Sequence, residues 1–217
     1  MFTIVGSDAS TEDDIMGFFH PGMRALQDRY EGRAVPDRLV DNRMRTAFSD
    51  TDRAFIEAAP FFFLATATAE NTDCSFKGGE PGFVRIVGDS ELLWPDYDGN
   101  RMYRSLGNIT QNERVGLLFI SFDGTQFDGS ARLRVNGRAR IDESPDAIAD
   151  MPGAKRAVRF VAEHIFTNCP RYIPDMGAGE VSVYTPRDGY TPPDPAWKSR
   201  PFVKDIFDAE NEAAGDE

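Results

Sequence analysis

Cysteine and histidine are scarce, with two of each among 217 residues. Cys74 and Cys169 are too few for a disulfide framework. They read as small packing residues in a reducing compartment, with a redox pair as the alternative. His20 and His164 stand far apart, without carboxylates at ligand spacing, so no metal site is predicted. No apolar run reaches the length of a membrane-spanning helix. The first residues, MFTIVGSDASTEDD, lack the basic and apolar regions of a secretion signal. Basic residues are outnumbered, 24 against 36, and the net charge is −12. A surface of that sign repels nucleic acid and anionic membrane, since both need clustered Lys and Arg. There is no Walker A, G-x-S-x-G or G-x-G-x-x-G segment. A soluble, cytoplasmic protein is the expectation.

Hydrophobic residues make up 41% and phenylalanine alone numbers 17, enough for a substantial core. Residues 1–45 read as a partly helical N-terminal extension, residues 46–185 as one domain, and residues 186–217 as an acidic, Pro-containing tail. In the extension Phe18, Phe19, Met23 and Leu26 form an apolar stripe that Pro21-Gly22 interrupts. Ser49 with Asp52 forms a capping box for a helix through about Ala59, ended by Pro60.

Beyond Pro60 the periodicity turns to strands: Phe61–Ala69, Gly82–Val87, Leu92–Trp94, Val115–Phe122 in the centre, Ala131–Ile141 and Glu180–Tyr184. In Ala131–Ile141, Leu133, Val135 and Ala139 alternate with Arg132, Arg134, Arg138 and Arg140. The four arginines read as a solvent-facing side paired with acidic neighbours. Val158–Phe166 also alternates, with Val158, Phe160, Ala162, His164 and Phe166 on one face. A helix over Ala154–Asn168 competes, because Ala, Lys and Glu favour it. Short strands, turns and one inserted helix, Arg101–Gln111, predict a mainly β fold, a small barrel with flanking helices.

The richest segment is DCSFKGGEPGFVRIVGDSELLWPDYDGNRMYRSLGNITQNERVGLLF, residues 73–119. Lys77, Gly78, Gly79 and Gly82 read as a Gly-rich turn before a strand carrying Arg85. The turn Asp96–Asn100 ends at Asn100, a good N-cap for a helix holding Arg101, Arg104 and Ser105. A helix N-terminus, guanidinium groups and a hydroxyl suit a phosphate monoester. The competing reading is that these arginines merely pair with the abundant carboxylates.

The segments FFFLATAT, CSFKGGEPGFVRIV, LLWPDYDGN, RSLGNITQNERVGLLFISF and RLRVNGRARI, taken in order, resemble the pyridoxamine 5′-phosphate oxidase-like family of FMN-binding split barrels. FHPGMRALQ and FTNCPRYIP extend the likeness more weakly, to about two thirds of the chain. The resemblance implies a split β-barrel and a homodimer that buries FMN at its interface. It implies that Arg85, Arg101, Arg104 and Ser105 hold the phosphate, with Asn100 at the helix start. Ser75, Phe76 and Lys77 would lie beside the isoalloxazine, and Trp94 to Tyr97 would flank the ribityl chain and phosphate. A Lys77 ammonium at the N1/O2 edge would raise the flavin potential; otherwise Lys77 is a solvated turn residue. Arg171 and Tyr172 fall where relatives approach the flavin, and with His164 they are the substrate candidates. His164 otherwise reads as a core histidine. The activity implied is that of an FMN-dependent oxidoreductase of a small organic substrate, with NAD(P)H or oxygen as co-reactant. The alternatives are a flavin store or sensor without turnover, and a barrel holding deazaflavin or haem. The tail lacks the Arg-x-His motif of true pyridoxamine 5′-phosphate oxidase, so vitamin B6 chemistry is not implied.

Overall fold

The computed structural model describes residues 18–122, 131–168 and 186–194, together with Lys204 and Asp208. Cys169, Arg171, Tyr172 and the expected strand Glu180–Tyr184 lie outside the described residues.

Two helices precede the barrel, α1 (Pro21–Tyr30) and α2 (Ala34–Arg43). Pro21 sits in the first turn of α1. It therefore begins the helix instead of breaking an apolar stripe, because its missing N–H falls where no intrahelical partner exists. Phe18 and Phe19 stand before α1, and Phe18 packs edge-on to His164 and Phe166 with centroids 5.2 and 5.4 Å away.

Helix α3 (Asp50–Ala58) has the expected capping box. The Asp52 N–H donates to Ser49 Oγ at 3.2 Å, and the Ser49 N–H donates to Asp52 Oδ2 at 3.0 Å. Arg45 adds a bidentate fork to the same carboxylate, at 3.0 and 2.7 Å. The Arg45 N–H also donates to the Ile165 carbonyl at 2.9 Å, tying the segment before α3 to the sheet.

Seven strands follow: β1 (Phe61–Ala67), β2 (Thr72–Gly78), β3 (Arg85–Ile86), β4 (Glu91–Asp96), β5 (Arg114–Ile120), β6 (Arg132–Asp142) and β7 (Arg156–Asn168). Helices α4 (Arg104–Gln111) and α5 (Pro145–Ile148) interrupt them. Every neighbouring pair is antiparallel, in the order β2-β1-β5-β6-β7-β4-β3. The outermost strands, β2 and β3, are consecutive in the chain, and Phe83 and Val84 of their link are buried. The sheet is a split barrel around Phe62, Leu64, Trp94, Leu117, Phe119, Leu133, Val135 and Phe160, its two outer strands linked by the chain and not by a ladder. Phe62 meets Trp94 edge-on and Phe119 at a tilt, with centroids 5.3 and 5.2 Å apart. Burying each such side chain contributes about 1.5–3 kcal/mol. A smaller core of Leu93, Ala147, Met151 and Ala157 lies under α5.

The structure corrects several expectations. Lys77 and Gly78 are not in a turn; they end β2, which pairs with β1 from Phe61↔Gly78 to Ala67↔Thr72. Polar composition hid this strand, as expected of an edge strand open to solvent on one side. A Cβ at Gly78 would lie 2.7 Å from the Phe76 ring, so glycine lets that ring fold over the strand end. Val158–Phe166 is a strand as expected, not the competing helix: β7 starts at Arg156, and its ladder partners on β4 and β6 override the local helical preference.

The expected face of β7 holds only as far as Ala162. Gly137 pairs with Ala162 but Asn136 pairs with His164, so Glu163 is an extra residue in a bulge. The inward face then changes parity: Val158, Phe160 and Ala162 are buried before the bulge, and Ile165 after it, instead of His164 and Phe166. Gly137 permits the close approach there, since a Cβ would lie 2.1 Å from the Val161 carbonyl oxygen. On β6 the arginines alternate outward as expected. Glu163 bridges Arg138 at 2.7 Å and Arg114 at 3.4 Å, relieving the directly opposed Arg114↔Arg138 pair.

Among the described residues no helix is long and apolar enough to cross a membrane. Nor, among them, do three or more His, Cys, Asp or Glu side chains converge as a metal site would require.

Candidate functional site

A cavity of about 740 Å³ opens between β2, the turn after β4, the start of α4 and the start of β7. Alternation on β2 turns Asp73, Ser75 and Lys77 to one face and Cys74 and Phe76 to the other. Phe76 nevertheless reaches the rim, stacked on Phe61 with centroids 5.3 Å apart. The opposite wall is the segment Pro95–Arg101.

Helix α4 starts later than its sequence suggests. Arg101 and Tyr103 both adopt left-handed backbone, φ 60° and 51°. Two such residues cannot continue a right-handed helix, so the first turn begins at Arg104 and Tyr103 stands at the N-cap. Asn100 is therefore not the cap. Its side-chain oxygen accepts from the Met102 N–H at 3.0 Å and holds the preceding turn. The left-handed pair sets where α4 begins, and Arg104, Ser105 and Leu106 of its first turn line the cavity.

Five cations line the cavity, Lys77, Arg101, Arg104, Lys155 and Arg156, against three carboxylates, Asp73, Asp96 and Asp98. This cationic excess sits within a chain of net charge −12. Two of the carboxylates hold cations in place. Asp73 lies 3.2 Å from Arg104 Nε and accepts the Ser105 hydroxyl at 2.9 Å. Asp96 lies 3.4 Å from Arg156, its register partner across β4 and β7. The Arg156 guanidinium also covers the Tyr103 ring, 5.2 Å from its centroid.

Burial lowers the Lys77 pKa from its ordinary value, and the attraction of Asp96 and Asp73 only partly restores it. Burial likewise raises Asp96, against the pull of Arg156 and Lys77. Tyr97 is raised by burial, with Arg85 lowering it and Glu80 raising it further. A half-buried ammonium of this kind favours an anion beside it, which would lift the desolvation cost of its charge.

Of the residues singled out in the sequence, Ser75, Phe76, Lys77, Tyr97, Asn100, Arg101, Arg104 and Ser105 line this one cavity. Trp94 and Arg85 do not. Trp94 is 1% exposed in the core, because its position on β4 faces the barrel interior. The Arg85 guanidinium donates to the Asp150 carbonyl and lies 3.8 Å from the Asp150 carboxylate, and its charge lowers the Tyr97 pKa against the burial that raises it. His164 lies at the β7 bulge against Phe18, apart from the cavity lining. Asp73, Tyr103, Lys155 and Arg156 went unrecognised in the sequence. The alternation of Asp73 with Ser75 and Lys77 could have revealed Asp73. For Lys155 and Arg156 only the β4–β7 register carries the signal.

No functionally curated protein matches the chain. Similar solved structures include HupZ of Group A Streptococcus, 16% identical, over 62% of this chain and 98% of that one, with TM-score 0.42. HutZ, the heme storage protein of Vibrio cholerae, is 14% identical over 53% of this chain and 91% of its own, TM-score 0.38. The FAD binding protein of Mycobacterium smegmatis is 14% identical over 57% and 98%, TM-score 0.39. These likenesses carry nothing about a ligand. The family model described as pyridoxamine 5′-phosphate oxidase matches residues 48–190, spanning α3, the whole barrel and the cavity between β2, α4 and β7. On that match the chain belongs to the pyridoxamine 5′-phosphate oxidase family.

Proposed function

We propose that this cavity binds FMN and that the protein is a flavin-dependent oxidoreductase of a small organic substrate. The observation that carries the reading is the cationic lining of one cavity in an acidic chain. Its donor set fits a flavin phosphate. The Arg104 guanidinium and the first-turn N–H groups of α4 would hold the phosphate, with Arg101 at the same wall. Lys77 and the Tyr97 and Tyr103 rings would accompany the remainder of the molecule. Neither of the chain's two histidines lines the cavity, which disfavours a His-ligated haem there.

Bound FMN would supply hydride-transfer chemistry at the flavin ring. The chain's part is position and electrostatics. Lys77 offers a cation whose charge is disfavoured without an anionic partner. The Arg104–Asp73 and Arg156–Asp96 pairs hold their guanidinium groups ready in the wall. Phe76, Met102 and Tyr103 stand exposed at the rim. Such a rim suits burial by a second copy, so the working unit is proposed to be a homodimer with the cavity at its interface.

Purified protein should be yellow, with a flavin band near about 450 nm, and mass spectrometry of the released cofactor should return FMN. Bleaching by NAD(P)H with catalytic reoxidation supports an oxidoreductase, whereas binding without turnover supports a store or sensor. Sedimentation should give twice the chain mass. A colourless protein that takes up no added FMN overturns the reading.

A further inference from the structure

Three side chains at the cavity form a hydrogen-bond chain whose direction can be deduced. The Ser105 hydroxyl donates to Asp73 Oδ2 at 2.9 Å, and Ser75 Oγ lies 2.9 Å from Ser105 Oγ. A carboxylate at neutral pH only accepts, and a serine carries one hydroxyl proton. Ser105 gives its proton to Asp73, so across the second contact Ser75 must donate to Ser105. Both hydroxyl protons are then committed toward Asp73, which Arg104 Nε also contacts at 3.2 Å. Neither serine has a proton to offer a phosphate, and Ser75 Oγ presents only lone pairs to the cavity.

Position along β2 indicates what meets those lone pairs. Alternate residues of a strand lie about 6.6–7 Å apart. Asp73, Ser75 and Lys77 are therefore spaced in a row, with Arg104 at the Asp73 end. If the phosphate lies by Arg104 and the ring by Lys77, Ser75 faces the hydroxylated chain between them.

We propose that Ser75 is a specificity residue that accepts a hydrogen bond from a hydroxyl of the ligand's polyol chain, and that Ser105 and Asp73 are positioning residues that fix its polarity. This rests on the flavin reading above and refines it: the serine pair selects the polyol rather than the phosphate.

The test is a titration of the full chain with FMN, riboflavin and lumiflavin, which lacks both phosphate and polyol. A hydrogen bond of ordinary net strength predicts that Ser75→Ala weakens FMN and riboflavin equally, by about 2- to 10-fold. Lumiflavin should be unchanged. Ser105→Ala should show the same pattern with a smaller loss, and Ser105→Thr, which keeps the hydroxyl, should restore binding. A loss confined to FMN would mean that the hydroxyls serve the phosphate, overturning the inference while leaving the flavin reading intact. Equal losses for all three flavins would mark a merely structural role and overturn it too. If the native protein binds none of the three, both the inference and the flavin reading fall.

Discussion

Replacing Arg104 by alanine should separate phosphate recognition from flavin recognition. A fully formed charge-assisted hydrogen bond contributes about 1.5–3 kcal/mol. Arg104 falls short of that limit for two reasons visible in the structure. Its side chain is 58% exposed, and its guanidinium already lies 3.2 Å from Asp73 and donates to the Thr72 carbonyl at 3.3 Å. A phosphate must share it with Asp73 and compete with water, which lowers the gain to about 0.7–1.4 kcal/mol, or about 3- to 10-fold in affinity. A second contribution acts the other way. In Arg104→Ala the Asp73 carboxylate, 15% exposed, loses its guanidinium and repels the dianion. The expected loss for FMN is therefore near the top of the range, about 10-fold, and below about 2-fold for riboflavin. Fluorescence titration of both flavins at two ionic strengths is the assay. The FMN-specific loss should shrink at high salt, because a half-exposed charge is screened. Arg104→Lys should recover part of it by keeping the charge. Equal losses for FMN and riboflavin, or a loss indifferent to salt, would refute the placement of the phosphate at Arg104.

Three further variants test the same structure. Burial lowers the Lys77 pKa, so the penalty on the folded state is present below the folded value, shrinks as pH climbs through it, and is gone above the ordinary 10.5. Lys77→Met should thus stabilise the ligand-free protein at neutral pH, as thermal melts would show. It should also lower the midpoint potential of bound FMN by about 20–45 mV, for about 1–2 kcal/mol of lost charge stabilisation; an unchanged potential with intact binding returns Lys77 to solvent. Asp52 is 2% exposed beneath Arg45, itself 32% exposed, so Asp52→Ala should cost about 2–4 kcal/mol in urea unfolding, less than a fully buried pair because Arg45 can rehydrate. A cost under about 1 kcal/mol would show that the fork and capping box are not coupled. Gly137→Ala forces a Cβ to within 2.1 Å of the Val161 carbonyl oxygen and should cost about 1–3 kcal/mol by denaturant titration; a neutral outcome would mean that the β6–β7 bulge relaxes freely.

Much of the barrel was legible because burial imposes a period on the residues that face inward. Phe61–Ala67, Arg114–Ile120 and Arg132–Asp142 alternate in hydrophobicity or run apolar, and each is a strand of the core. The α3 capping box was equally plain, since both partners lie within three residues of each other. Strand β2 was not legible, because its apolar Cys74 and Phe76 take the exposed face and its polar Asp73, Ser75 and Lys77 the cavity face, the reverse of the usual hydrophobic period. The β7 bulge was invisible for a different reason: one extra residue shifts the inward face only through the partner it meets on β6.

The site divides along the same line. By itself the sequence marked residues 73–119 as one segment of glycines, cations and a helix start suited to a phosphate, because local turn and charge patterns need no fold, and the family resemblance added Ser75 to it. Only the tertiary structure decided that Trp94 turns inward to the core and that Arg85 is held by Asp150 instead of lining the cavity. It alone brought Lys155 and Arg156, distant along the chain, beside Asp96 in the same cavity. Strand parity and cross-strand register settle those placements, and both depend on partners dozens of residues away.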